Sequence, residues 1–197
     1  MSHDDRKTRS RAGAPRRAAS VPGAFILGMA LSGFFDGILL HQILQWHHFL
    51  SLVGGGGLRD VRMQILGDGL FHVAVYLLMI TGLYTLWRRR SVLARHGAGR
   101  RLLGGVLMGF GVWNMIDVAL VHWMLGLHRT RIDVPDPLLY DLIWFLGLGL
   151  AVALVGYRLC CTKAIAGRTG TGAAWLLLGV IVASSVVANI PPPMRVR

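Results

Sequence analysis

The residues that could do chemistry are concentrated in one stretch, Gly33 to Phe49, which reads GFFDGILLHQILQWHHF and closes a long apolar segment. Asp36, His41, Gln42, Gln45, His47 and His48 all fall in it, and such groups are costly in lipid unless a partner or ligand compensates them. The pattern recurs: Asp117, His122 and His128 repeat the spacing of Asp36, His41 and His47, again at the end of an apolar segment. Asp68, His72 and Asp141 sit near the starts of two other apolar segments. Imidazole is a ligand for zinc, copper, iron and nickel, and an Asp either ligates or holds a ligating imidazole in place. No Lys or Arg lies inside the first three apolar segments to pair with Asp36, Asp68 and Asp117, so a bound cation would supply the missing positive charge.

The candidate ligands are therefore His41, His72 and His122, with His47, His48 and His128 nearer the mouth of the site. Asp36, Asp68 and Asp117 act as ligands or as partners of the ligands, and Gln45, Asn114, Tyr76 and Asp141 surround them. Three other readings fit the same residue types: a proton relay of Asp and His, an Asp/His network that only fixes helix packing, and a haem held between His41 and His122.

The elements that must position these residues are membrane helices. Of the 197 residues 54% are hydrophobic, the mean hydropathy is +0.55, and several uncharged runs approach the length that crosses a bilayer. An all-α, polytopic protein with five transmembrane helices is expected over residues 22–190, the spans covering about 23–50, 66–87, 102–127, 138–159 and 173–190. Residues 1–21 form a basic, disordered tail, rich in Arg, Ser, Ala and Gly. The pair Arg16-Arg17 precedes an apolar run without a small-residue cleavage site, so that run is read as a retained helix. Residues 191–197 make a short C-terminal tail that begins with three prolines.

Lys and Arg set the orientation. The N-terminal tail and the connections after the second and fourth spans hold 15 of them, and the other side holds 6. The N-terminus is thus expected in the cytoplasm and the C-terminus outside. The net charge of +12 reflects this topology, and no nucleic-acid partner is implied. In this orientation the two Asp-His repeats, Asp68, His72 and Asp141 all fall in the outer parts of their helices. Asp36, His41, Gln45, His47 and His48 are expected on one side of the first helix, and Asn114, Asp117, His122 and His128 on one side of the third. Gln64, Asp68, His72 and Tyr76 form a stripe on the second. Polar faces turned away from lipid meet in the bundle.

Other features carry less. The tryptophans near span ends read as interfacial anchors, and the run Gly54 to Gly57 as a flexible connector. Cys160 and Cys161 are adjacent and lack the spacing of a zinc or redox motif. His3 and His96 fall in the tail and a loop, away from the cluster.

The segment GFFDGILLHQILQWHH resembles the signature of a bacterial family of small predicted membrane proteins classed as a domain of unknown function, over about residues 22–190. The resemblance names a family without naming an activity. A multi-pass protein of the bacterial inner membrane is expected, with the lipid bilayer and a membrane-protein partner or second copy as its surroundings. Asp68 with His72 is also loosely similar to the intramembrane copper ligands of membrane methane and ammonia monooxygenases, from which the chain departs in its size and its other His spacings. Copper is the favoured metal, followed by zinc and iron, with haem behind them. Redox chemistry and metal handling are both open to such a site, as is delivery of metal or protons to a partner.

Overall fold

The computed structural model describes residues 21–93 and 97–161. The basic tail, the fifth span expected over 173–190 and the C-terminal tail lie outside the described residues. Four helices among the described residues are long and apolar enough to cross a membrane: Pro22–Ile43, Val61–Arg88, Ala98–Leu125 and Pro137–Cys160. No strand occurs among these residues, and one short helix, Arg90–Leu93, lies between the second and third spans.

The second and fourth spans begin at local capping signals. Asp60 accepts from the backbone N–H of Arg62, starting the second span at Val61, several residues ahead of the expected Leu66. Asp136 accepts from Leu139 N–H and Pro137 opens the fourth span, where the missing N–H of proline costs nothing.

The first and third spans pack closely on each other, the second covers the first, and the fourth covers the third. The two central helices approach backbone to backbone at Gly28 and Gly109. A Cβ on Gly28 would strike the Val106 carbonyl, and one on Gly109 would strike the Phe25 carbonyl. The same reciprocity appears at the flanks, where Gly82 meets Leu27 and Gly156 meets Met108. Phe25 corresponds to Val106, Leu27 to Met108 and Gly28 to Gly109 at one constant displacement along the chain. Asp36 corresponds to Asp117 at that same displacement. The four spans are thus two helix pairs related by an approximate two-fold axis that runs along the bundle.

The ends of the two central spans depart from the expected α-helix. Asp36–Ile43 and Asp117–Leu125 are π-helical. In an α-helix, residues five apart lie about 140° apart around the axis, so α-helical periodicity does not put Asp36 and His41 on one face. The i to i+5 repeat of the π-helix does, and it sets His41 over Asp36 and His122 over Asp117. Each π segment gives way to a left-handed residue, Gln45 (φ 50°) and Gly126 (φ 62°). The chain then turns back over the helix end, with Trp46 N–H donating to Leu40 O at 3.0 Å and Leu127 N–H to Val121 O at 3.1 Å. His47, His48 and His128, expected on helix faces, therefore ride on the two loops that close this end of the bundle.

Beneath the loops, Leu40, Trp46, Val118, Trp144 and Leu148 form the buried apolar cluster. The second span leaves Leu70, Val73, Leu77, Ile80 and Leu83 exposed, as a lipid-facing helix does.

Candidate metal centre

Each half of the centre is an imidazole held between two carboxylates. In the first half, His41 Nδ1 lies 3.0 Å from Asp68 Oδ1, and its Nε2 lies 3.3 Å from Asp36 Oδ2. In the second, His122 Nδ1 lies 2.8 Å from Asp141 Oδ1 and its Nε2 lies 3.1 Å from Asp117 Oδ2. Asp68, on the second span, is fixed in turn by the Phe49 N–H at 2.8 Å and by His48 Nδ1 at 2.7 Å. Asp141, on the fourth span, accepts from Thr130 N–H (3.0 Å), Thr130 Oγ1 (2.9 Å), Arg129 (2.8 Å) and Trp123 Nε1 (3.2 Å). Asp141 is thus the counterpart of Asp68, Arg129 stands where the first half has His48, and Thr130 where it has Phe49.

A second imidazole enters each half from a loop. His47 Nδ1 donates to the Thr130 carbonyl at 2.9 Å, and His128 Nδ1 donates to the Phe49 carbonyl at 3.1 Å. Each loop therefore orients the histidine of the other. A carbonyl only accepts, so Nδ1 of both rings carries the proton, and a neutral ring then presents its Nε2 lone pair. The two rings stay neutral: burial first, then the neighbouring His128 ring, holds His47 well below 6.5. Burial lowers His128 likewise, with the His122 ring adding to it against the pull of Asp117.

The four Nε2 atoms of His41, His47, His122 and His128 are buried and form no aligned hydrogen bond. They gather around the two buried carboxylates: His47 Nε2 is 3.9 Å from Asp36 Oδ1, and His128 Nε2 is 3.9 Å from Asp117 Oδ1. The rings pack on one another, with centroids 4.6 Å apart for His41 and His47, 4.4 Å for His47 and His128, and 4.7 Å for His122 and His128. Nitrogen lone pairs facing carboxylate oxygens in a buried space repel unless a cation or a proton lies between them. The second nitrogen of each ring is bound to a carboxylate or a backbone carbonyl, as is usual for metal-ligating histidine. Buried His/Asp groups that could hold a metal ion are present in the described chain: His41, His47 and His128 form one, and Asp117, His122 and His128 another.

Over the loops, Arg131 stacks on Trp46 at 5.0 Å and Tyr140 at 5.6 Å and pairs with Asp133 at 2.7 Å. Backbone bonds join the loops, from Leu52 N–H to Leu127 O (2.9 Å) and from Ile132 N–H to Trp46 O (3.5 Å).

The other candidates stand at different distances from this cluster. His48 touches it only through Asp68 and is partly exposed. His72 turns away: its Nδ1 donates to the Asp68 carbonyl at 2.7 Å, and its ring lines a cavity of about 600 Å³ with Phe34, Gln42 and Tyr76. The stripe on the second span thus splits, with Gln64 and Asp68 buried and Tyr76 exposed. Gln45 is exposed and serves the turn. Asn114 ties the two central helices together by donating to Ser32 (2.8 Å), and it holds the fourth span by accepting from Trp144 Nε1 (2.8 Å). The sequence reading did not pick out Arg129, Thr130 or the Phe49 carbonyl. The adjacent pairs His47-His48 and His128-Arg129 were the available signal, because they hold the same positions in the two repeats.

No curated protein and no solved structure matches the chain. A family model described as "Predicted membrane protein (DUF2243)" matches residues 23–163, which carry all four spans and both Asp-His repeats, and the chain belongs to that family.

Proposed function

We propose that the protein is an integral membrane metalloprotein whose His/Asp centre serves redox chemistry or metal handling. One observation carries the reading: four buried imidazole Nε2 atoms converge on Asp36 and Asp117 without a hydrogen bond of their own. His41, His47, His122, His128, Asp36 and Asp117 are the proposed ligands, and Asp68, Asp141 and the Phe49 and Thr130 carbonyls orient the rings. His72 falls outside the ligand set. Imidazole-rich donors favour copper, and a carboxylate beside every pair of imidazoles suits zinc and iron equally well. The proposed location is a bacterial inner membrane, and the orientation expected from the lysine and arginine imbalance sets the centre near its outer face.

Elemental analysis of the untagged full-length protein in mild detergent tests the reading. Wild type and His72→Ala are expected to carry a first-row transition metal, and the His41→Ala/His122→Ala double variant less than a tenth as much. Folded wild-type protein that takes up no zinc, iron or copper on reconstitution would refute it.

A second reading rests on a different observation. Partly exposed His48 bonds Asp68, which bonds His41, which faces Asp36, and this continuous line from the surface suits a proton relay. It predicts metal-free protein with pH-dependent activity. A haem between His41 and His122 gains no support, because the His47 and His128 rings, stacked 4.4 Å apart, both pack against those two imidazoles.

A further inference from the structure

We infer that the centre holds two metal ions, one in each repeat, rather than a single ion on the two-fold axis; the inference rests on the metal-site reading above. Two ligand atoms about 2.1 Å from one ion lie roughly 3 to 3.5 Å apart. Within each repeat the carboxylate stands at or near that spacing from both imidazoles. Asp36 is 3.3 Å from His41 Nε2 and 3.9 Å from His47 Nε2, and Asp117 is 3.1 Å from His122 Nε2 and 3.9 Å from His128 Nε2. Each repeat therefore offers one carboxylate and two imidazoles to an ion of its own. Among the described residues, two groups have ligand atoms that all lie within 4.8 Å of one another, His41 with His47 and His128, and Asp117 with His122 and His128. Neither contains both His41 and His122. His128 is common to the two, but its Nδ1 is committed to the Phe49 carbonyl and its one remaining nitrogen serves a single ion, the one beside Asp117.

The axis itself is a poor place for an ion. His47 and His128 stack there with centroids 4.4 Å apart and planes only 8° from parallel. An imidazole lone pair lies in the plane of its ring, so two stacked rings direct theirs along parallel planes. An ion midway would sit about 2 Å out of each plane, where neither lone pair reaches it at a bonding distance of about 2.1 Å. The stacked pair separates two ions instead of joining around one. Three protein ligands per ion, one oxygen and two nitrogens, suit divalent zinc, iron or copper and leave coordination positions for solvent or substrate.

The experiment is metal stoichiometry on the untagged full chain, loaded with zinc, with ferrous iron without air, or with cupric ion, and then freed of excess. Two ions per chain are expected in the wild type. The Asp36→Asn/His41→Ala and Asp117→Asn/His122→Ala variants should each keep one, and the combined variant none. One ion per chain in the wild type, lost entirely in either variant, overturns the two-ion inference and leaves the metalloprotein reading standing. No ion in the wild type sinks both. Should a variant fail to fold, electron paramagnetic resonance of the cupric wild type decides: a pair of coupled ions is expected, and the signal of one isolated ion overturns the inference.

Discussion

Asp68→Asn and Asp141→Asn make the same chemical change at equivalent positions, yet the structure assigns them different costs. Asp141 accepts five hydrogen bonds, three on Oδ1 from His122 and Thr130 and two on Oδ2 from Arg129 and Trp123. An amide nitrogen in place of Oδ2 confronts two donors, and in place of Oδ1 it confronts three. Each donor left without an acceptor costs about 1 to 3 kcal/mol. Arg129 and Trp123 are partly exposed and recover some of this by turning to water, so the net cost is roughly 2 to 4 kcal/mol. Asp68 accepts only one bond on Oδ2, from partly exposed His48, whose ring can exchange tautomers and accept from the new amide. Asp68→Asn should therefore cost about 1 kcal/mol or less. Both changes remove the charge behind a ligating ring and should weaken metal binding by about 10- to 100-fold. Chemical unfolding of the metal-free variants in detergent measures the first difference, and chelator competition the second. An Asp141→Asn protein as stable as Asp68→Asn would show that the five-donor environment does not exist in solution and would refute the argument.

Three other outcomes are expected. Gly28→Ala and Gly109→Ala should each destabilise the bundle by about 1 to 3 kcal/mol or more through backbone collision, while Gly99→Ala, which meets nothing, stays near neutral; equal unfolding midpoints for all three would contradict the reciprocal contact. His47 and His128 are depressed below 6.5 in the folded protein, so the folded state binds fewer protons than the unfolded one. Their contribution is intact above 6.5 and is lost as pH falls below it, so the melting temperature of metal-free wild type should drop between about pH 7 and 5. A His47→Phe/His128→Phe variant should show a smaller drop, and an unchanged pH profile in that variant would locate the acid sensitivity elsewhere. Finally, a cysteine placed at Gly55 should react with impermeant reagents from outside the cell, as the charge imbalance requires, and labelling only from the cytoplasm would invert the topology.

Composition and the spacing of apolar runs were enough to establish helices that cross a membrane, because a bilayer of about 30 Å demands a length that any sequence displays openly. The repeat of Asp36, His41 and His47 in Asp117, His122 and His128 was equally legible, since equivalent positions keep equal spacing. The tertiary structure decided how these residues meet. The α-helical period predicts the wrong neighbours for Asp36, and only the π-helical turns at Asp36–Ile43 and Asp117–Leu125 set each Asp under its His. The left-handed turns at Gln45 and Gly126 moved His47 and His128 off the helices and into the centre, and Gln45 carries no glycine to announce its turn. His72 has the residue type and depth of a ligand but faces another cavity, and Arg129 and Thr130, whose types suggest nothing, hold Asp141. Ligand choice depends on side-chain direction. In this protein direction is set by backbone turns and by bonds between distant loops, such as His47 to Thr130 and His128 to Phe49, and these leave no period in the sequence.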